Sequence, residues 1–404
     1  MKIYFTLLMS VFFLSTTLNA QYRDFELVEQ ATRIIQNNYY DTAYGNVENW
    51  DTLKNHILKS TLNGEKGNDA IQTILSTIGD PALRLLNQDE FKVFFEEILT
   101  NQYTGIGLTE LLGMDIDQTT GKLIVVAPIY GSAAFAAGVL PNDEIIEINK
   151  KSVKGLSLEE AAQLLRVKKG EKVNLLVNRN DNEKAFSIEA TEMKTLIYPL
   201  YQLVKYKRKK IGVIWIPQFM EGTGFRLLEI LNELKEKGAE GFVIDLRNNY
   251  GGLIQEAQNS AGIFAGQKPM AFTQSKNSAI KMIATTGIQQ CDLPVTILVN
   301  EGTASAAEAF AGVLQYYKRA KIIGMPTNGK GLMYSFYDLG DRSTLIVPIG
   351  RLRMLNQEDL LTKGITPNEL FESKKAFKLY KSYKKDPMLK HSVRQLVRNI
   401  KKEL

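Results

Sequence analysis

Cysteine and histidine are nearly absent from this chain of 404 residues. The single cysteine, Cys291, excludes an internal disulfide and a metal cluster held by cysteines alone. The two histidines, His56 and His391, lie near opposite ends of the chain, so a metal site built on clustered histidines is not expected. A catalytic serine would need a base of another residue type, unless it used one of these two outlying histidines.

Long apolar runs are also missing after Ala20, where none reaches the ~20 residues that a membrane-spanning helix needs. Residues 1–20 combine Lys2, an apolar run from Ile3 to Leu14 and a small residue, Ala20, before Gln21. This pattern predicts a secretory signal peptide cleaved after Ala20; the alternative, an uncleaved anchor, has too short a run. We therefore expect an exported protein, in the periplasm or cell envelope of a bacterium or secreted.

Positive charge is concentrated at the C-terminal end. The whole chain has a formal net charge of +6, but residues 374–404 contain eleven Lys or Arg and only two acids. Apolar residues recur there at helical spacing: Leu389, Val393, Leu396, Val397 and Ile400. The pattern predicts a basic amphipathic helix, either simply solvated or in peripheral contact with an anionic membrane or a partner. No aromatic and basic platform indicates nucleic-acid binding.

The composition changes along the chain, which suggests four segments after the signal peptide. Residues 21–98 have helical periodicity, whereas 99–193 contain short β-rich runs between turns. Residues 194–372 alternate strands and helices, which predicts a largely parallel sheet covered by helices. Residues 373–404 form the basic C-terminal segment. The expected fold class is α/β, or α+β when the whole chain is considered.

One candidate for chemistry is Ser305, in a loop of small residues between a buried strand and a helix. A hydroxyl at a helix N-terminus lies near backbone N–H groups that could stabilise an oxyanion. The spacing of Ser305 and Glu308 also fits a capping box, which many helices use without any catalytic role. The two interpretations are compatible, because a hydroxyl can donate one hydrogen bond and accept others.

A second candidate is Lys330, in the glycine-rich segment 324–331. The segment resembles a phosphate-binding loop, but Gly331 replaces its Ser or Thr and a β-like run follows where that loop needs a helix. A lysine can instead activate a serine if it is neutral. If 330–337 is a strand, Lys330 and Tyr334 share one face, so the Tyr334 hydroxyl could hold the amine. The alternative is an exposed loop lysine.

Several motifs point to one family. Residues 245–253 (DLRNNYGGL) resemble D-L-R-N-N-P-G-G-L, and 302–308 (GTASAAE) resemble G-S-A-S-A-S-E. Residues 327–331 (TNGKG) resemble T-F-G-K-G, and 364–368 (GITPN) resemble G-I-x-P-D. Together they resemble the C-terminal processing peptidases, or tail-specific proteases, over nearly all of the mature chain.

This resemblance implies a serine endopeptidase with a crotonase- and Clp-protease-like βα core. In it, Ser305 is the nucleophile, Lys330 is the general base, and Tyr334 takes the place of a Gln that orients the lysine. The expected oxyanion donors are the backbone N–H groups of Ala306 and of Gly251 or Gly252. No metal, nucleotide or other cofactor is expected.

The resemblance also implies a PDZ domain before the core. Residues 131–146 resemble its G-S-P-A-x-x-A-G-x-x-x-G-D-x-I segment. Its carboxylate-binding loop would be Gly105-Ile106-Gly107-Leu108, whose backbone N–H groups capture the C-terminal carboxylate of a bound chain. The expected partners are unfolded or tail-exposed protein substrates, and an activator or adaptor protein. The sequence leaves the oligomeric state open.

Three positions depart from the family pattern. Tyr334 replaces Gln, Tyr250 replaces Pro beside the oxyanion glycines, and Ala82 replaces the His of a D-P-H-T element. They motivate an alternative function, a catalytically weak or silent PDZ scaffold that binds exposed C-termini. A third interpretation, a crotonase-like enzyme acting on an acyl thioester, does not explain the PDZ-like segment.

Overall fold

The computed structural model describes residues 21–41, 43–44, 47–92, 102–109, 113–117, 120–194, 199–276, 280–356, 359–372 and 383–400. The predicted signal peptide therefore lies outside the described residues. The chain divides into two compact units. The described residues within 21–95, 274–279 and 333–350 form the N-terminal unit, and the others form the main unit.

The N-terminal unit is mostly helical, as predicted. Its elements are α1 (21–38), α2 (Trp50–Leu62), α3 (Gly67–Ile78), β1 (Arg84–Leu86), α4 (88–92), most of β17 (Leu332–Asp338) and the first part of β18 (Thr344–Met354). Apolar residues of α1 and α3, such as Ile35 and Ile74, are fully buried in its core. Helix α3 ends at Gly79, whose φ of 74° closes the helix in the left-handed region.

Residues 102–194 form the predicted β-rich domain of the main unit. Its elements are β2 (Gln102–Gly105), β3 (Met114–Ile116), β4 (Leu123–Val125), α5 (Ala133–Ala137), β5 (Glu144–Ile148), β6 (Lys151–Ser152), α6 (Leu158–Leu165), β7 (Lys172–Arg179), β8 (Asn182–Glu189) and β9 (Thr191–Lys194). The sheet order is β3-β4-β5-β7-β8 with β6 beside β5, and β2 pairs separately with β9. A capping box is present at the start of α6, between Ser157 and Glu160.

The rest of the main unit is a βα core together with α11 near the C-terminus. Its elements are β10 (Leu200–Tyr206), β11 (Lys209–Trp215), α7 (Thr223–Glu236), β12 (Phe242–Asp245), α8 (Ile254–Ala265), β13 (Pro269–Ser275), β14 (Ile280–Ala284), β15 (Val295–Val299), α9 (Ala306–Tyr316), β16 (Ala320–Gly324), α10 (Leu360–Lys363), β19 (Glu369–Leu370) and α11 (Pro387–Ile400). The sheet order is β10-β11-β12-β15-β16-β19. Only the β10–β11 pair is antiparallel, so the carboxyl ends of β12 and β15 lie side by side.

The predicted amphipathic helix near the C-terminus is α11. Its apolar face packs against the core sheet, where Leu389, Val393 and Leu396 share a buried cluster with Val213 and Val243. This helix face is therefore covered by the protein itself. Within the described part of the chain, no helix is long and apolar enough to cross a membrane.

Candidate active site

Two loops at the carboxyl ends of β12 and β15 carry the predicted nucleophile and oxyanion residues. Asparagines hold these loops together: Asn248 N–H donates to Asn300 Oδ1 at 2.8 Å, and Asn300 Nδ2 donates to Asn248 Oδ1 at 2.6 Å. Asn249 adds a backbone link, because its carbonyl accepts from Ala304 N–H at 2.9 Å. The paired asparagines therefore fix the position of Ser305 relative to the glycine turn.

Ser305 lies at the N-terminus of α9 with φ 53° and ψ −121°. This backbone conformation is costly for a residue other than glycine, by about 1–3 kcal/mol, and such strain concentrates at functional sites. The next residue, Ala306, is the first of α9, where N–H groups have no acceptor within the helix. A strained serine beside such N–H groups is a suitable arrangement for a nucleophile.

The glycine turn lies directly against the serine. A Cβ added at Gly251 would lie 2.7 Å from Ser305 Cβ, so only glycine fits at this close approach. Gly251 N–H already donates to Asn249 Oδ1 at 2.9 Å. The β-bridge between Phe219 and Gly252 consists of two hydrogen bonds: Phe219 N–H donates to the Gly251 carbonyl, and Leu253 N–H donates to the Phe219 carbonyl. The Gly252 N–H takes part in neither of them. Gly252 and Ala306 are thus better placed as oxyanion donors than Gly251.

Glu308 connects the serine loop to the lysine loop. Its buried carboxylate accepts from Ser305 N–H at 2.7 Å, Gly329 N–H at 2.8 Å, Lys330 N–H at 3.0 Å and Thr327 Oγ1 at 2.5 Å. Burial raises the pKa of Glu308 from 4.5 to about 7, while these hydrogen bonds oppose the rise. The predicted capping carboxylate therefore also positions both halves of the predicted dyad.

Lys330 has an unexpected partner in the β-rich domain. Its Nζ donates to Asp115 Oδ2 of β3, and both side chains are about one quarter exposed, at 24% and 23%. An ammonium that donates to a carboxylate cannot accept a proton from serine. The strand that follows begins at Leu332, not at 330, so the alternation argument linking Lys330 to Tyr334 does not extend to the lysine. Tyr334 lies in β17 of the N-terminal unit, half-buried, and its orienting role stays a prediction.

The β-rich domain also contacts the nucleophile loop. A Cβ added at Gly302 would lie 3.0 Å from Pro141 Cγ and 3.1 Å from Ala127 Cβ. Tyr130 packs against Trp215 at the end of β11, with ring centroids 4.8 Å apart. In this conformation the domain therefore rests on the loops that carry Ser305 and Lys330.

The predicted carboxylate-binding loop is tightly packed. Ile106 and Leu108 are buried in the core of the β-rich domain. A Cβ at Gly107, where φ is 91°, would lie 2.1 Å from Ser132 Cβ, so no larger residue fits. Gly105 ends β2. Residues 110–112, which follow the loop, lie outside the described residues.

Sequence reasoning missed Asp115. It lies 215 residues before Lys330 and belongs to no motif, so only the fold reveals the pair. It also missed the buried Arg247, which bonds to Asp245 at the end of β12 and to Asp386 before α11. Among the described residues, no group of three or more His, Cys, Asp and Glu could hold a metal ion.

Comparison with known proteins gives a consistent result. The model of peptidase family S41 matches residues 210–371, and a PDZ domain model matches residues 124–179. A carboxyl-terminal-processing protease of Synechocystis sp. is 31% identical over 350 residues, which cover 86% of this chain and 81% of the relative. Its counterpart in Picosynechococcus sp. is 30% identical over 347 residues, covering 85% and 82%.

A solved structure agrees with these relatives. The photosystem II D1 C-terminal processing protease superposes with a TM-score of 0.77 at 25% sequence identity. The match covers 86% of this chain and 93% of that one.

Proposed function

The chain belongs to the carboxyl-terminal-processing proteases of peptidase family S41, which makes it a serine-type endopeptidase with a PDZ domain, and we propose that Ser305 and Lys330 form its catalytic dyad. The observation that carries the proposal is the Glu308 carboxylate, which accepts from Ser305 N–H and from Lys330 N–H. Cleavage of an unfolded protein with an apolar C-terminal tail by residues 21–404, and its loss in Ser305→Ala, tests the proposal.

In the proposed reaction, Ser305 Oγ attacks the scissile carbonyl while neutral Lys330 accepts the hydroxyl proton. The N–H groups of Gly252 and Ala306 hold the oxyanion of the tetrahedral intermediate. The lysine then returns the proton to the leaving amine, and water releases the acyl-enzyme. These reaction steps need no metal or other cofactor, since the base and the oxyanion donors all belong to the chain.

Tail recognition is assigned to the PDZ domain. The loop from Gly105 to Leu108 would capture the terminal carboxylate, and the bound tail would add as a strand beside the domain. The substrates would be unfolded or tail-exposed proteins of the compartment to which residues 1–20 direct the chain. We propose export to the periplasm or cell envelope of a bacterium on this ground.

The Asp115–Lys330 pair supports a resting state in the described conformation. We expect Asp115→Asn to raise kcat/KM about fivefold, because a partly exposed ion pair is worth about 1 kcal/mol and must open before Lys330 can accept a proton. The measurement is peptide cleavage at pH 7 and low salt. The matched control is Glu183→Gln, an exposed position of β8 in the same domain. An unchanged or lower rate in Asp115→Asn contradicts the resting-state interpretation.

Glu308→Gln is expected to lower kcat/KM and to change the dependence of stability on pH. The side-chain amide would place its N–H donors against backbone N–H groups. We expect this to lower the free energy of unfolding by about 1–3 kcal/mol and kcat/KM by about tenfold or more.

The raised pKa of Glu308 determines how its contribution to stability changes with pH. Its folded pKa of about 7 exceeds the ordinary 4.5, so its contribution to stability is complete below pH 4.5 and is lost as the pH rises to about 7. Urea unfolding of wild type against Glu308→Gln should show this difference of roughly 3 kcal/mol across the interval. Parallel pH profiles of the two proteins would contradict it.

A further inference from the structure

Two segments that are distant in sequence form one basic surface. The hairpin between β10 and β11 reads KYKRKK over residues 205–210, and the turn before α11 and the helix itself carry further cations. We call six of the exposed cations of these segments the basic face: Lys205, Lys207, Arg208, Lys384, Lys385 and Arg394.

Tyrosines hold the two segments together. The ring of Tyr206 has Lys207 Nζ 5.8 Å from its centroid on one segment and Arg394 Cζ 5.9 Å away on the other. Tyr383 Oη donates to the Lys205 carbonyl at 3.3 Å, which places Lys384 and Lys385 beside the hairpin. The six cations therefore lie on one continuous part of the main unit.

Little negative charge offsets the basic face. Within the described residues 205–210 and 383–400, Asp386 is the one acid, and its buried carboxylate is used by Arg247. Glu240 pairs with Lys209 of the hairpin, and Glu369 contacts His391 of α11; neither Lys209 nor His391 is among the six. The sequence holds further cations at Lys374, Lys375, Lys378 and Lys381, which lie outside the described residues.

The apolar side of α11 is covered by the core sheet, and this limits how the basic face can bind a membrane. Leu389, Val393 and Leu396 are buried against the sheet, so the helix cannot insert them into a bilayer. Binding through the basic face is therefore electrostatic adsorption, which weakens steeply with salt.

We propose that the basic face docks the enzyme on anionic phospholipid headgroups. Clustered Lys and Arg with few opposing acids are complementary to a negatively charged membrane surface. A tyrosine ring between two of the cations suits the headgroup region, where amphipathic rings are favoured. The choice of a lipid surface rests on the proposed export to the envelope. Docking would keep the peptidase next to proteins at the membrane.

The test measures co-sedimentation of residues 21–404 with phosphatidylcholine vesicles, with and without phosphatidylglycerol. We expect binding only to the anionic vesicles, and release by NaCl. The double variant Lys207→Glu/Arg394→Glu should lower the partition coefficient roughly 25-fold or more, because each cation near such a surface is worth about fivefold. Its peptide cleavage in solution should stay unchanged.

The matched control is Lys172→Glu/Lys184→Glu, which makes the same charge change at exposed positions of β7 and β8. Equal partition of the two double variants would overturn the proposal, as would equal binding to neutral vesicles. Binding to heparin without binding to anionic vesicles would assign the surface to a soluble polyanion instead. Ser305→Ala should bind vesicles like the wild type, so failure of the peptidase proposal is a separate result.

Discussion

Ser305→Ala and Lys330→Ala are each expected to lower kcat/KM by about 10⁴-fold or more. The serine supplies the electron pair that forms the acyl-enzyme, and the lysine removes its proton. The double variant should be scarcely slower than either single one, because the two residues act as a unit. The measurement is single-turnover cleavage of a peptide with an apolar C-terminus.

Matched controls keep this result interpretable. Lys321 is, like Lys330, a partly exposed lysine paired with a carboxylate in the main unit, and Lys321→Ala should retain activity. Ser305→Ala removes a hydroxyl without changing the backbone requirement at φ 53°, so its free energy of unfolding in urea should fall by no more than about 1 kcal/mol, the cost of losing a helix cap. A rate in either dyad variant within tenfold of wild type would remove that residue from the mechanism.

Asp386→Ala is expected to destabilise the protein by about 3–5 kcal/mol, because it removes one partner of a buried charge network. Arg247 donates to Asp386 at 2.7 Å and 3.2 Å and to Asp245 at 2.8 Å, and all three are nearly inaccessible to solvent. Asp386 also accepts from Leu389 N–H at 3.0 Å, at the start of α11. Its loss leaves Arg247 with fewer acceptors and weakens the attachment of α11 to β12.

Urea unfolding at neutral pH measures this effect. Ser157→Ala is the control, because Ser157 caps α6 in the same unit without any ion pair and should cost only about 1 kcal/mol. If Asp386→Ala costs no more than Ser157→Ala, the network is not a main attachment of α11. Arg247 precedes the asparagines that hold the glycine turn, so we also expect Asp386→Ala to lower activity.

Local patterns predicted most elements of the fold. The β-rich runs of residues 99–193 and the alternating strands and helices of residues 194–372 depend on neighbours in sequence, and the structure contains strands such as β7 and β12 and the capped helix α6 in these segments. The position of Ser305 before α9 was predictable for the same reason, because a short motif specifies a strand, a tight turn and a helix start.

Contacts between distant segments could not be predicted in this way. Asp386 is 139 residues from Arg247, and Asp115 is 215 residues from Lys330, so neither pair leaves a pattern in sequence. The spacing of apolar residues predicts the amphipathic helix α11, but it does not reveal that the core sheet covers the apolar face of this helix. The motif leaves Gly251 and Gly252 as alternative oxyanion donors, and the hydrogen bond from Gly251 N–H to Asn249 Oδ1 that favours Gly252 is visible only in the fold.

We propose that this chain shortens protein tails with Ser305 as its nucleophile. The direct measurement incubates residues 21–404, beside Ser305→Ala, with an unfolded protein that ends in an apolar tail, and identifies the products by mass spectrometry. The account predicts C-terminally shortened products with wild type and an intact substrate with Ser305→Ala. A substrate that stays bound and intact with both proteins would contradict it and would favour a silent PDZ scaffold.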